Sequence, residues 1–246
     1  MKKLILLLIA LFNFVSPAQS QNANMVQPFA PEANKADKFI KDWSQGIEIT
    51  NYLQSPSLLG QLIEDRNLSD FDEVPGWIKD NLITDDQKLQ KLANRLKVVY
   101  ENIPEARRLK IVYFNNSQPF FALGNRSLVF ISSTSVESFS DNEFAAGGFH
   151  ELAHLVFAEY YWNLRRAGNA PAVKQIELNC DRFSYLMLKK ARLPVKSLEQ
   201  LLRKVDQLES QGNRDEKEAR FYPSLEDRLV NLKTLDKTKS GIFNIK

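Results

Sequence analysis

The sequence predicts an α+β fold, mostly helical around a small β-sheet, because two kinds of apolar periodicity alternate along the chain. Apolar residues recur at three- and four-residue spacing after residue 85 and again after residue 140, as in amphipathic helices. Between these stretches, three short segments rich in aromatic and β-branched residues are separated by Asn and Gly turn residues: 109–114, 119–123 and 127–132. With 246 residues, 43% of them hydrophobic, the chain can bury one sizeable core.

The ends of the helices are marked by residues that favour helix starts and stops. An acidic pair at residues 85–86 favours a helix start there, and Pro104 favours its end. Ser140 and Glu143 have the spacing of a capping box, which predicts that the next helix begins at Ser140. Small residues at 145–148 predict a close approach of this helix to the sheet. Further helices are predicted over residues 171–191, 197–211 and 225–235.

The first 20 residues have the composition of a secretory signal peptide. Two lysines precede an apolar run over residues 4–15, and small residues suited to signal peptidase follow. The run is shorter than the about 20 residues that a membrane span needs, so we predict a cleaved leader and no stable membrane span in the mature chain. An uncleaved anchor is the alternative. The protein is therefore expected in the periplasm or outside the cell.

We divide the chain into the signal peptide at residues 1–20, an N-terminal segment at 21–84 and a main domain at 85–246. The N-terminal segment begins polar and continues with short apolar-periodic pieces that contain aromatic residues. These pieces predict small helices, with extended connections, packed on the main domain.

Charge and cysteine usage exclude several classes of protein. Removal of Lys2 and Lys3 with the leader lowers the formal net charge from +3 to +1, which leaves no electrostatic footprint for nucleic acid or anionic lipid. Cys180 is the only cysteine, so an intrachain disulfide is excluded and the mature fold depends on its core.

A metal-binding pattern lies within the helix predicted after residue 140. His150, Glu151 and His154 form a His-Glu-x-x-His sequence that contains both histidines of the chain. Residues four apart lie one above the other on a helix, so the two imidazoles can bind one zinc ion. Glu151 then lies beside the metal, where it can accept a proton from an activated water molecule, as in metalloproteases. The alternative is a chance match on a buried helix.

A catalytic zinc site needs a third protein ligand, and Glu177 is the best candidate. It lies on the next predicted helix beside apolar positions. Asp181, one turn later on the same face, can accept a hydrogen bond from the other ring nitrogen of a ligating histidine. A solvated helix face is the alternative for this pair. We therefore predict one zinc ion per chain, held by His150, His154 and Glu177.

These segments resemble the HtpX-like family of gluzincin metallopeptidases, which includes membrane-bound CAAX prenyl proteases and soluble periplasmic quality-control proteases. The family pattern is His-Glu-x-x-His, then Glu-x-x-Ala-Asp, then a His-Pro-Ser segment ending in Arg. Residues 150–154, 177–181 and 222–228 are similar to its three parts. The resemblance covers residues 85–235 and implies a zincin-like (minigluzincin) domain whose sheet precedes the metal helix.

Two positions depart from the family pattern. Cys180 replaces the family's alanine, and we expect a small buried residue there, the alternative being a thiolate that approaches the metal. Tyr222 replaces the histidine that helps the family to stabilise charge on the substrate carbonyl. A tyrosine hydroxyl can donate the same hydrogen bond, the alternative being a packing role. The resemblance also implies that Arg228 braces the site by pairing with a carboxylate such as Asp181.

The sequence thus predicts a secreted zinc metalloendopeptidase in which Glu151 is the general base and Tyr222 assists catalysis. A protein or peptide substrate, in unfolded form, is expected along an exposed sheet edge, with residues 127–132 as the edge strand. The alternative class is a non-catalytic, zinc-stabilised chaperone or adaptor of the same fold. Residues 21–84 are expected to be a structural subdomain, with an inhibitory prosegment as the alternative.

Overall fold

The computed structural model of the chain describes residues 74–119, 121–123, 128–210 and 219–237. The signal peptide and most of the N-terminal segment (21–84) lie outside them, so those predictions and the three-part division of the chain stay predictions. The helices are α1 (Gly76–Lys79), α2 (Asp86–Asn102), α3 (Ser133–Ser138), α4 (Asp141–Arg166), α5 (Ala170–Lys190), α6 (Lys196–Ser210) and α7 (Leu225–Lys237), with a 3-10 helix at Pro104–Arg108. In this described part, no helix combines the length and the hydropathy needed to cross a membrane.

The strands are β1 (Lys110–Phe114), β2 (Phe121–Leu123) and β3 (Leu128–Ser132), in the sheet order β1-β3-β2. The structure therefore confirms a mostly helical α+β fold with a small sheet before α4. It contradicts the prediction that residues 127–132 form an exposed edge, because β3 pairs in parallel with β1 and antiparallel with β2. All five β3 residues are buried, as expected for a central strand covered on both faces. Among the described strands, β2 therefore lies at an edge.

The sheet separates two apolar clusters. One face carries residues such as Tyr113 and Val129 into the main core, which the sheet shares with α2, α4, α5 and α6. The opposite face packs Phe114 and Phe130 against Ile78 of α1. Because both faces of the sheet are covered, the strand sequences are nearly continuous apolar runs and do not alternate with polar residues.

The helix ends follow the predicted signals closely. Ser140 caps α4, and its side chain and that of Glu143 form the complete capping box. The buried Glu143 carboxylate also accepts a hydrogen bond from Lys204 Nζ of α6 at 2.7 Å. Asp85 caps α2 by accepting from the backbone of Lys88. The start of α4 is therefore fixed both by its own sequence and by a neighbouring helix.

Helix α3 is not among the predicted elements, because its serine-rich sequence favours turns over helix when read alone. The helix forms because the Ser132 side chain caps it by accepting from the backbone of Ser135. Val136 anchors it by complete burial in the main core.

Helices α4 and α5 form an antiparallel hairpin around a short polar turn. Gly168 in this turn has φ +71°, a conformation that favours glycine, and Asn169 caps α5 by accepting from the backbone of Ala172. Farther along, the buried Ser184 hydroxyl of α5 donates to the Ala146 carbonyl of α4 at 2.7 Å. This bond lies one helical turn before His150, so it fixes α5 beside the metal-binding pattern.

Two adjacent glycines let α4 approach its neighbours. A Cβ atom on Gly148 would lie 2.9 Å from Cγ2 of Val99 in α2 and 3.5 Å from the ring of Phe121 in β2. The nearest contact of a Cβ on Gly147 would be Cδ2 of Leu201, at 3.4 Å. The predicted close approach to the sheet is therefore present, and an even closer one is made to α2.

We expect Gly148→Ala to be less stable than Gly147→Ala by about 1–3 kcal/mol, because only the first forces an overpacked contact. Both substitutions gain about the same helix propensity, so that gain cancels in the comparison. Chemical unfolding of the two variants measures the difference. Equal unfolding free energies would show that α2 moves away from α4 without cost.

Candidate metal centre

Helix α4 presents His150 and His154 on one face, as the four-residue spacing predicts. The centroids of their rings lie 5.1 Å apart, and their side chains are 10% and 15% exposed. Phe149 and Leu155, on the opposite side of the same two turns, are completely buried in the main core. The histidine rings are therefore held by a well-packed helix and remain close to the surface of the molecule.

Helix α5 brings the Glu177 carboxylate to both histidines. Its Oε2 atom lies 3.4 Å from Nε2 of His150 and 3.7 Å from Nε2 of His154. The Glu177 side chain is only 4% exposed, so burying it requires partners of this kind. Two imidazole nitrogens and one carboxylate oxygen thus converge on one small volume.

Asp181 lies one turn after Glu177 and accepts hydrogen bonds from two partners. Its Oδ1 atom lies 3.0 Å from Nδ1 of His150. Arg228 of α7 donates from Nε to Oδ2 at 2.7 Å and from Nη2 to Oδ1 at 2.6 Å, which is the two-pronged pairing that guanidinium favours. This pairing fixes the carboxylate, and the carboxylate orients the His150 ring so that Nε2 faces Glu177. The expected pairing of Arg228 with Asp181 is thus present.

The two histidines share Glu177 as a neighbour, yet their pKa values shift in opposite directions. Burial lowers the pKa of His154 to about 4. Burial acts on His150 in the same way, but hydrogen bonds to Asp181 and Glu177 outweigh it and raise its pKa to about 10. Burial would raise the pKa of Glu177, but the two histidines lower it to about 2. A metal ion that takes Nε2 of His150 must therefore displace a proton.

Cys180 also lies at this cluster. Its Sγ atom and one ring nitrogen from each histidine all lie within 4.8 Å of one another, close enough to hold a metal ion. The thiol is completely buried, and burial, followed by the charges of Glu177 and Asp181, raises its pKa well above the usual value. The structure thus confirms a cluster that can hold a metal, and offers both Glu177 and Cys180 as the third ligand.

Glu151 is half-buried at a different surface of α4 and lines a small apolar cleft. The cleft lies between α2, the sheet and α4, and its walls include Val99, Phe121 and Leu152. The residues that line this cleft include neither histidine, so the structure shows Glu151 at the cleft and His150 at the cluster, adjacent in sequence. Its role as a general base stays a prediction.

The structure places Tyr222 in a group of aromatic and cationic side chains that sequence reasoning did not find. Arg165 Nη1 donates to the Tyr222 hydroxyl at 3.4 Å and to the Tyr161 hydroxyl at 3.1 Å. The Tyr161 ring in turn packs edge-on against His154, with centroids 5.3 Å apart. Tyr161 and Arg165 follow His154 by seven and eleven residues, which is helical spacing on the metal-facing side. This helical spacing from His154 is the sequence signal by which Tyr161 and Arg165 could have been found.

Comparison of the chain with protein-family models, with curated proteins and with solved structures gave no match. The class that the molecule itself defines is an α+β domain in which His150, His154 and Cys180 form a cluster able to hold a metal ion. Any more specific assignment depends on the chemistry of the residues.

Proposed function

We propose that the protein is a secreted zinc-dependent endopeptidase with a zincin-like domain, in which His150, His154 and Glu177 hold one zinc ion. The observation that carries the proposal is the position of the Glu177 carboxylate, 3.4 and 3.7 Å from the two Nε2 atoms. In a tetrahedral site with zinc-ligand distances near 2.0–2.1 Å, adjacent ligand atoms lie about 3.3 Å apart. Both distances from the Glu177 carboxylate therefore match the spacing between zinc ligands.

The surroundings of these ligands also suit a catalytic zinc site. Asp181 holds Nδ1 of His150, as carboxylates commonly do for zinc-ligating histidines, and Arg228 holds Asp181. Three protein ligands leave a fourth position for water or substrate. A structural site would instead use four protein ligands and would have no need for Glu151.

A zinc ion bound there would polarise a peptide carbonyl and acidify a water molecule. Glu151 accepts the proton of the attacking water and transfers it to the departing amine. Tyr222 donates a hydrogen bond to the carbonyl oxygen as negative charge develops on it. The burial of Tyr222 raises its pKa to about 12, which keeps this hydroxyl protonated and able to donate at neutral pH.

The substrate is an extended, unfolded segment of protein, and we place it along the edge strand β2 instead of β3. Strand β2 pairs with β3 on one side, and its Phe121 contacts the glycine pair that precedes His150 in α4. A peptide added to the side of β2 that no described strand occupies gains main-chain hydrogen bonds irrespective of its sequence. An apolar substrate side chain next to the scissile bond would then face the small apolar cleft that Glu151 lines.

One observation favours a second candidate, a non-catalytic chaperone or adaptor in which the metal only stabilises the fold. The Cys180 thiol lies within reach of both histidines, and a site that used it together with Glu177 would have four protein ligands and no open position. The presence of Glu151 in the His-Glu-x-x-His sequence favours the peptidase, since a purely structural site needs no general base.

The peptidase proposal is tested by loss and recovery of cleavage. We expect the mature, zinc-loaded chain to cleave an unfolded protein such as casein, a chelator to abolish cleavage, and added zinc to restore it. Mass spectrometry of the products should show internal cuts, as expected of an endopeptidase. A fully zinc-loaded chain that binds unfolded protein without cutting it would favour the chaperone instead.

A further inference from the structure

The hydroxyl groups of Tyr161 and Tyr222 lie together beside one guanidinium. Arg165 Nη1 is 3.1 Å from the first oxygen and 3.4 Å from the second, so one nitrogen atom donates to both hydroxyls. The guanidinium carbon also lies 5.7 Å from the Tyr161 ring centroid and 4.8 Å from that of Phe221. Phe221 is buried and immediately precedes Tyr222, so these contacts join α4 to the segment that carries Tyr222.

The direction of these hydrogen bonds follows from the chemistry of the groups. Arginine only donates, so each tyrosine oxygen uses a lone pair to accept from Arg165. The Tyr222 hydroxyl thus accepts from Arg165, and its own hydrogen points away from the guanidinium.

We propose that Tyr161 is a positioning residue for the reaction: together with Arg165 it fixes the Tyr222 hydroxyl as a donor aimed at the substrate carbonyl oxygen. The proposal rests on the peptidase function proposed above and deepens it. Tyr161 is suited to the task because its ring packs on His154 while its hydroxyl accepts from the same Nη1 atom that donates to Tyr222. Tyr161 therefore links His154 to the guanidinium that holds the Tyr222 hydroxyl.

This arrangement accounts for the departure of Tyr222 from the family's histidine. A lone tyrosine hydroxyl rotates about its C–O bond and can lose its donor direction. The Arg165 donor that occupies one of its lone pairs restricts that rotation and polarises the O–H bond, as in other hydrogen-bonded chains. The donor is then oriented before the substrate binds, which is the condition for effective stabilisation of an oxyanion.

The test is a double-mutant cycle on the full-length mature chain loaded with zinc. We expect Tyr222→Phe to lower kcat by about 100-fold and Tyr161→Phe by about 10-fold, with KM changed less than about twofold in each. The double variant should resemble Tyr222→Phe alone, because Tyr161 acts only through Tyr222. Tyr113→Phe, which removes a buried hydroxyl at the sheet, is the control and should keep full turnover.

A second readout separates positioning from loss of structure. A phosphonamidate peptide, which imitates the tetrahedral transition state, should bind Tyr161→Phe about 10-fold more weakly, whereas a product peptide should bind normally. Unchanged turnover in Tyr161→Phe, or losses that multiply fully in the double variant, would overturn this role and leave the peptidase function intact. Absence of cleavage by the zinc-loaded wild-type chain would overturn both.

Discussion

Glu151→Gln is expected to lower kcat for peptide hydrolysis by about 1000-fold while zinc content and thermal stability stay at wild-type values. The amide is nearly isosteric with the carboxylate but cannot accept the proton of the attacking water, and a general base of this kind contributes about 10²–10⁴-fold to the rate. Since Glu151 is half-buried and contacts the cleft, the conservative change should leave the packing of α4 intact.

The matched control is Glu137→Gln, which removes an exposed carboxylate from α3 and should cleave at the wild-type rate. Single-turnover cleavage and metal analysis should be measured on the same preparations. Wild-type turnover in Glu151→Gln would place the proton acceptor elsewhere.

Glu177→Ala is expected to weaken zinc binding by more than about 100-fold, whereas Cys180→Ala should change it by less than about threefold. Loss of an outer hydrogen-bond partner already weakens metal sites by about 10–100-fold, so loss of a ligand should exceed that. The two residues lie three positions apart on the same buried face of α5, so the pair of variants compares the two candidate ligands directly.

Competition titration against a chelator measures both affinities. Replacement of zinc by cobalt adds a spectroscopic test, since a thiolate ligand gives an intense charge-transfer band in the near ultraviolet and a carboxylate does not. The reverse ranking of affinities, together with such a band in the wild-type chain, would assign the metal to Cys180 and favour the non-catalytic function.

Local signals in the sequence predicted most of the helices, because their ends are set by the residues that form them. The capping box at Ser140 and the proline after α2 act within one helical turn, so they can be read without the fold. The same holds for the pairing of His150 with His154. Helix α3 escaped prediction because its stability comes from a cap and from the burial of Val136, which depends on the fold.

The position of β3 in the sheet is not a local property. Its run of apolar residues identifies a buried strand, yet the order of three strands depends on which neighbours pair with it. An uninterrupted apolar run indicates a strand that is buried on both faces. That signal favours a central position for β3.

The site shows the same division between local and distant information. Glu177 and Asp181 could be predicted because their four-residue spacing matches that of the two histidines. The network of Arg165 with Tyr161 and Tyr222 joins residues about 60 positions apart in sequence, and no spacing rule reaches that far.

The hairpin of α4 and α5 also has a consequence for the order of folding. Every candidate ligand lies within this single hairpin, between His150 and Cys180, so the loop closed by assembling them is short. Contacts that close short loops cost little chain entropy and form early, whereas Arg228 must arrive from α7, much farther along the chain. The hairpin can therefore bring the candidate ligands together while the C-terminal part is still unfolded, and docking of α7 then fixes Asp181 against His150.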